Sequence, residues 1–165
     1  MNPRLCARLL SAAVLALSCQ LALGASTTPT RIVSTSPSVT GILLAMDAPL
    51  VASAATTPSR LTDERGFFSQ WAEVARQRGV AVLYRNLQFD IEAVIAADPD
   101  LLVVSATGAD SVVAHRSELQ AQGLETLVVD YSNQSWQDIA TALGQRTGLE
   151  QQARAAIQRL SLIHI

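Results

Sequence analysis

Asp90-Ile-Glu-Ala-Val-Ile-Ala-Ala-Asp-Pro-Asp-Leu-Leu-Val-Val-Ser-Ala-Thr107 decides the fold. It reads as a short amphipathic helix, a proline turn, a buried strand and a polar loop, which is half of a parallel α/β unit. The loop after such a strand is where open α/β sheets take their ligands. Glu92 stands out as a charge on the first turn of an otherwise apolar helix.

Working outward, the same alternation recurs. Arg31 to Ser34 is a short strand, and Ser36 or Ser38 can cap a helix from Val39 to Met46. Leu50 to Ala54 is a second strand, followed by a long loop from Ala55 to Gly66 and a helix from Phe67 to Arg78. Val80 to Leu83 is a third strand and Leu101 to Val104 the fourth. Asp110 is placed to cap a helix reaching Gln122, with Gly123 at its end. Thr126 to Val129 is the fifth strand, and Ser135 caps a helix that ends at Gly148. Five strands alternating with helices, one of them the continuous apolar run Leu-Leu-Val-Val, predict an α/β fold: a parallel sheet covered on both faces. All strand-to-helix loops then emerge on one edge, so Thr35, Ser36, Thr57, Arg60, Arg65, Tyr84, Arg85, Thr107 and Tyr131 should share one rim.

The 165 residues suffice for one domain with a core, and 49% hydrophobic against 16% charged residues excludes a disordered chain. All twelve basic residues are arginine, and the net charge of −2 argues against a nucleic-acid binder. Arg4, Arg8 and the apolar run Leu9 to Leu23 form a secretory signal too short to span a membrane. Ala22-Leu23-Gly24 predicts cleavage after residue 24, which makes the mature chain two units more negative. Cys6 and Cys19 both fall inside the signal, so no disulfide or thiolate site is expected downstream. Ala16-Leu17-Ser18-Cys19 is a weak lipoprotein box, outweighed by the reading of Cys19 as part of the apolar core of the signal. These features fit a bacterial periplasmic protein.

Leu149 to Leu160 reads as an exposed helix with Ala153, Ala156, Ile157 and Leu160 on one face, running into the apolar tail Ser161-Leu-Ile-His-Ile165 without a stop signal. The expectation is a piece of a longer protein, with residues 161–165 foreign to it.

Enzyme signatures are absent: there is no Gly-x-Ser-x-Gly elbow, no P-loop lysine and no Gly-x-Gly-x-x-Gly. Two histidines, His115 and His164, cannot build a metal cluster, and His115 reads as a surface residue. Arg60, Arg65 and Arg85, together with helix N-termini, form a positive patch suited to an anionic ligand, although loop arginines are usually just solvated. Tyr84 and Tyr131 either stack on an aromatic ligand or pack over the sheet edge. Trp71 and Trp136 have apolar neighbours and read as core. Glu92 equally suits the positive end of its own helix.

Arg31-Ile-Val-Ser-Thr-Ser36, Leu43-Leu-Ala-Met-Asp-Ala-Pro49, Ala55-Thr-Thr-Pro58, Ser105-Ala-Thr-Gly108 and Ser135-Trp136 resemble the N-terminal lobe of periplasmic iron-siderophore binding proteins of the ferric-enterobactin type. The likeness runs from Arg31 to Leu160. The Ile91-Glu92 to Pro99-Asp100-Leu101 pattern belongs to the wider family, whose members also bind cobalamin and haem.

The resemblance implies two Rossmann-like lobes joined by one long helix, with the ligand between them and docking on an inner-membrane ABC permease. In this chain it implies a signal over 1–24, an N-terminal α/β lobe over 25–148, and the start of the interlobe helix over 149–165. Glu92 matches the glutamate that pairs with permease arginines, and Arg60 matches an arginine facing the catecholate ligand. Arg85 and Tyr84 would assist, with Thr57, Thr107 and Tyr131 nearby and Arg65 a weaker candidate. No residue would be catalytic, and the protein would act as a monomer. Iron would arrive already complexed, with no metal or cofactor held by the protein directly. The N-terminal β-hairpin usual in the family and the whole second lobe are missing from the pattern. Rival readings are the same fold with cobalamin or haem, a small exported α/β enzyme, or a single-lobe interaction module.

Overall fold

The computed structural model describes residues 28–162. The expected signal, with Cys6 and Cys19, and residues 163–165 of the tail lie outside them.

Five strands, β1 (Ile32–Ser34), β2 (Leu50–Ser53), β3 (Ala81–Val82), β4 (Leu101–Ser105) and β5 (Thr126–Val129), form one sheet in the order β3-β2-β1-β4-β5. Every pairing is parallel. The helices are α1 (Pro37–Ala45), α2 (Ser69–Gln77), α3 (Ile91–Ala96), α4 (Arg116–Ala121), α5 (Trp136–Thr147) and α6 (Glu150–Leu162). The chain winds outward through β2 and β3, then crosses back to place β4 on the other side of β1. That reversal makes the β1/β4 boundary the switch point, where the loops diverge and leave a crevice.

Alternate residues of the strands feed two cores. Ile32, Leu101 and Val103 face a cluster with Val39 and Leu43 of α1, Ala72 of α2, Leu143 of α5 and Ala153 of α6. Val33, Leu102 and Val104 face a second cluster with Val94 of α3 and Leu119 of α4. All five residues of β4 are buried, which is why this strand carries no polar alternation.

Local chemistry explains the helix limits. Asp90 caps α3 by accepting the Ala93 N–H at 3.0 Å, as the sequence indicates. Ser135 and Asp138 form a reciprocal capping box on α5, and Gly148 ends that helix at φ +70.

Several limits differ from expectation. The third strand keeps only two paired residues at the sheet edge. The helix expected from Asp110 is a 3₁₀ turn, Val113–His115, leading into the short α4, and Asp110 caps neither. Ser36 precedes α1 without a capping bond, because its hydroxyl is used elsewhere, and Pro37 starts the helix instead. The last helix runs two residues past Leu160.

Candidate functional site

The loops leaving the C-terminal ends of the five strands form the expected rim, and they carry charge of opposite sign at its two ends. Arg60 and Arg85 follow β2 and β3. Asp110 and Asp130 follow β4 and β5.

At the positive end, the loop from Ala55 to Phe68 is closed on itself. Thr56 N–H donates to the Gly66 carbonyl at 3.0 Å, and the Asp63 carboxylate accepts the N–H groups of Arg65 and Phe67. Burial pushes the Asp63 carboxyl up, but the Phe67 N–H and the Arg65 side chain outweigh it and hold it below its ordinary value. Arg65 pairs with Asp63 at 3.0 Å, donates to the Ala72 carbonyl at 2.9 Å and lies over the Phe67 ring at 4.8 Å. It is a brace for the loop, which corrects its candidacy as a ligand contact.

Arg60 and Thr57 are exposed, and the Arg60 guanidinium has no hydrogen bond or ion pair among the described residues. Arg85 is exposed as well. Its Nη1 donates to the carbonyls of Glu64 and Arg65 at 3.3 and 3.4 Å, tying the two loops together. The turn beside it holds Asn86 and Leu87 at φ +56 each, a conformation unfavourable for leucine.

Tyr84 is buried at 8% exposure, its ring edge-on to Phe89 and its hydroxyl 3.5 Å from the Thr35 carbonyl. Burial pushes its pKa well above the ordinary value. It offers no open face, so of its two readings packing over the sheet is correct. Phe89 also stacks on His115, which stays on the surface.

At the other end, Thr107 donates to Asp130 at 2.9 Å and meets the Ser132 hydroxyl at 2.9 Å. The Asn133 amide and then the Thr107 hydroxyl hold the Asp130 carboxyl below its ordinary value. Tyr131 is half-buried and donates to Asp110 Oδ1 at 2.6 Å, while Ser36 donates to Asp110 Oδ2 at 2.5 Å. Sequence reasoning took Asp110 for a helix cap and missed this cluster; an aspartate before a helical pattern looks the same in either role. Ser36 is 0% exposed and faces a carboxylate, with no histidine beside it among the described residues, so it is not a nucleophile open to substrate.

Glu92 sits on the first turn of α3, exposed and with no partner among the described residues. Trp71 and Trp136 are half-buried and line an open apolar groove of about 620 Å³ with Ile42, Val74 and Leu160; Trp71 also packs against the core, so its reading as core holds in part, while that of Trp136 is corrected. Among the described residues no cluster of His, Cys, Asp or Glu could hold a metal, and no helix is long and apolar enough to cross a membrane.

The sequence pattern of the family described as periplasmic binding protein matches residues 32–161. The ferric enterobactin-binding periplasmic protein FepB of Escherichia coli O6:H1 is 48% identical over 130 residues, covering 78% of this chain and 40% of that protein. The chain thus spans less than half the length of this curated relative. The crystal structure of holo-ViuP superposes with a TM-score of 0.71 at 47% identity, covering 81% of this chain and 43% of that one. Staphylococcus aureus SirA complexed with staphyloferrin B superposes at 0.61 with 15% identity, over 81% of this chain and 41% of that one, a likeness of fold alone.

Proposed function

Because the chain belongs to the periplasmic binding protein family, we propose that it is the N-terminal lobe of a binding protein for ferric catecholate siderophores, which hands its cargo to an inner-membrane ABC permease. The observation that carries this reading is Arg60: a cation on the rim with no partner among the described residues, in a chain 48% identical to a ferric enterobactin-binding protein. A ferric tris-catecholate is a trianion, and a guanidinium that is neither paired nor buried is free to meet it with charge-assisted hydrogen bonds. Arg85 adds a second positive charge while holding the loop, and Thr57 offers a hydroxyl beside them.

Export to the periplasm and action as a monomer belong to the same proposal. Iron enters as part of the ligand, and the protein adds no metal bond. The rim also argues for binding over catalysis, since Ser36, Thr107 and Tyr131 spend their hydroxyls on carboxylates and the cations that follow its strands are arginines.

The test is a titration of residues 25–165 with the gallium(III) complex of enterobactin, a diamagnetic stand-in for the ferric one, followed by amide NMR. Shifts confined to the loops bearing Thr57, Arg60 and Arg85 are expected, and Arg60→Ala should remove them. Shifts with cobalamin or haem instead would move the ligand to one of those classes, and shifts centred on the Trp71 groove would reject the rim.

A further inference from the structure

Asp110 lies at the switch point between β1 and β4 and is 6% exposed. A buried carboxylate needs compensation, and here it comes from hydroxyls alone. Ser36 and Tyr131 donate to its two oxygens at 2.5 and 2.6 Å, the lengths of charge-assisted O–H···O⁻ bonds. Those bonds join three loops: Ser36 follows β1, Asp110 follows β4 and Tyr131 follows β5. They also press the Tyr131 hydroxyl onto Gly108, whose φ is +87 and whose backbone has no room for a β-carbon there. Ser36 and Asp110 have almost no surface to offer a ligand, while Tyr131 is only half-buried.

We infer that Asp110 is a positioning residue for the ligand, which fixes the Tyr131 ring as an aromatic wall of the rim without touching the ligand itself. The inference rests on the ferric-catecholate reading and deepens it. A held aromatic ring at the end of the rim remote from Arg60 and Arg85 suits a ligand built from catechol rings, which carries both charge and π-faces. The phenol is neutral at neutral pH in any case, and burial and then donation to Asp110 push its pKa further up, to about 12. A neutral phenol neither repels a trianion nor competes for its iron.

The test compares Asp110→Ala, Asp110→Asn and Tyr131→Phe in residues 25–165, each checked for folding by circular dichroism, with affinity for gallium enterobactin read by NMR. Asp110→Ala should weaken binding about tenfold, the scale of one hydrogen bond to a charged group. Asparagine can still accept from Tyr131, so Asp110→Asn should stay within about twofold of wild type. Tyr131→Phe should match Asp110→Ala, and the two together should be no worse than either, because one acts through the other. Alkaline difference spectra should show the Tyr131 ionisation of Asp110→Ala moving down towards the ordinary tyrosine value. Additive losses, or Asp110→Asn as weak as Asp110→Ala, would overturn the positioning role alone. Should Asp110→Ala not fold, Tyr131→Phe decides: affinity equal to wild type overturns the role. Where the single lobe does not bind, the same variants are read in the complete two-lobed protein, and a complete protein that binds no catecholate complex overturns the ligand reading and this role with it, even where the tyrosine titration still reports the bond.

Discussion

The Tyr131 hydroxyl occupies the space that a β-carbon on Gly108 would need. Gly108 also sits at φ +87, a conformation that L side chains rarely adopt. Gly108→Ala therefore meets both a clash and backbone strain, and it should destabilise the lobe by about 1–3 kcal/mol, read as a lower urea midpoint. Combining it with Tyr131→Ala should relieve the overlap and leave the φ penalty, so the second substitution costs less in the Gly108→Ala background than in wild type. Equal costs in both backgrounds would mean the two residues are not in contact.

Arg60 and Arg65 lie on one loop and do different work. Arg65 is spent on Asp63, the Ala72 carbonyl and the Phe67 ring, so Arg65→Ala should cost about 1–2 kcal/mol of stability. Arg60 is exposed and unpartnered among the described residues, so Arg60→Ala should change stability by less than about 0.5 kcal/mol. Its effect should fall on binding of an anionic ligand. Thermal unfolding of the two variants separates these roles before any ligand is added.

How much of this was legible beforehand follows from what each residue responds to. The apolar run from Leu101 to Val104, bounded by the Pro99 turn and a polar loop, reads as a buried strand and is one, and Asp90 and Ser135 cap their helices through bonds that lie within four residues. Such local signals survive folding. Asp110 did not read correctly because its partners, Ser36 and Tyr131, are 74 and 21 residues away, and only the sheet order brings them together. Arg65 and Tyr84 looked like rim residues because they follow strands, but the sequence does not say which way a loop side chain turns. Arg65 turns back to its own loop, and Tyr84 turns towards Phe89.

The capping box at the start of α5 offers a local check on helix energetics. The Ser135 hydroxyl accepts the Asp138 N–H at 3.1 Å, and the Asp138 carboxylate reaches back to the Ser135 N–H and hydroxyl. Ser135→Ala should lower stability by about 1 kcal/mol, whereas Ser135→Asn, another good cap, should recover most of it. Chemical denaturation of the pair measures this, and equal losses would show that the hydroxyl contributes nothing as a cap.

Acid should weaken the lobe in a defined window. Asp63, Asp100 and Asp130 all have folded-state pKa values below the ordinary 3.8, in Asp100 chiefly because the Thr30 hydroxyl and then the Thr30 N–H donate to it. A carboxylate depressed in the folded state contributes stability that is complete above its unfolded pKa and is lost as pH falls through the folded one. Stability should thus be insensitive to these groups at neutral pH and fall once the pH drops below the ordinary aspartate value. Urea midpoints against pH would show it, and Asp100→Asn should make the curve shallower. An unchanged slope in that variant would mean that Asp100 does not tie the start of β1 to the turn before β4.

At Glu92 stability and function should separate. It is exposed on the first turn of α3, where a carboxylate complements the helix N-terminus, yet Asp90 already caps that end. Glu92→Ala should therefore leave the unfolding midpoint nearly unmoved, and ligand affinity with it, since the residue has no hydrogen bond or ion pair among the described residues. If an arginine on the permease pairs with this carboxylate, the loss should appear as weaker stimulation of ATP hydrolysis by the reconstituted transporter, measured with the complete two-lobed protein. Glu92→Asp should restore part of it and Glu92→Gln little, because the charge carries the contact. An affinity loss for the ligand in Glu92→Ala, with permease stimulation unchanged at saturating ligand, would place Glu92 in the ligand site and remove it from docking.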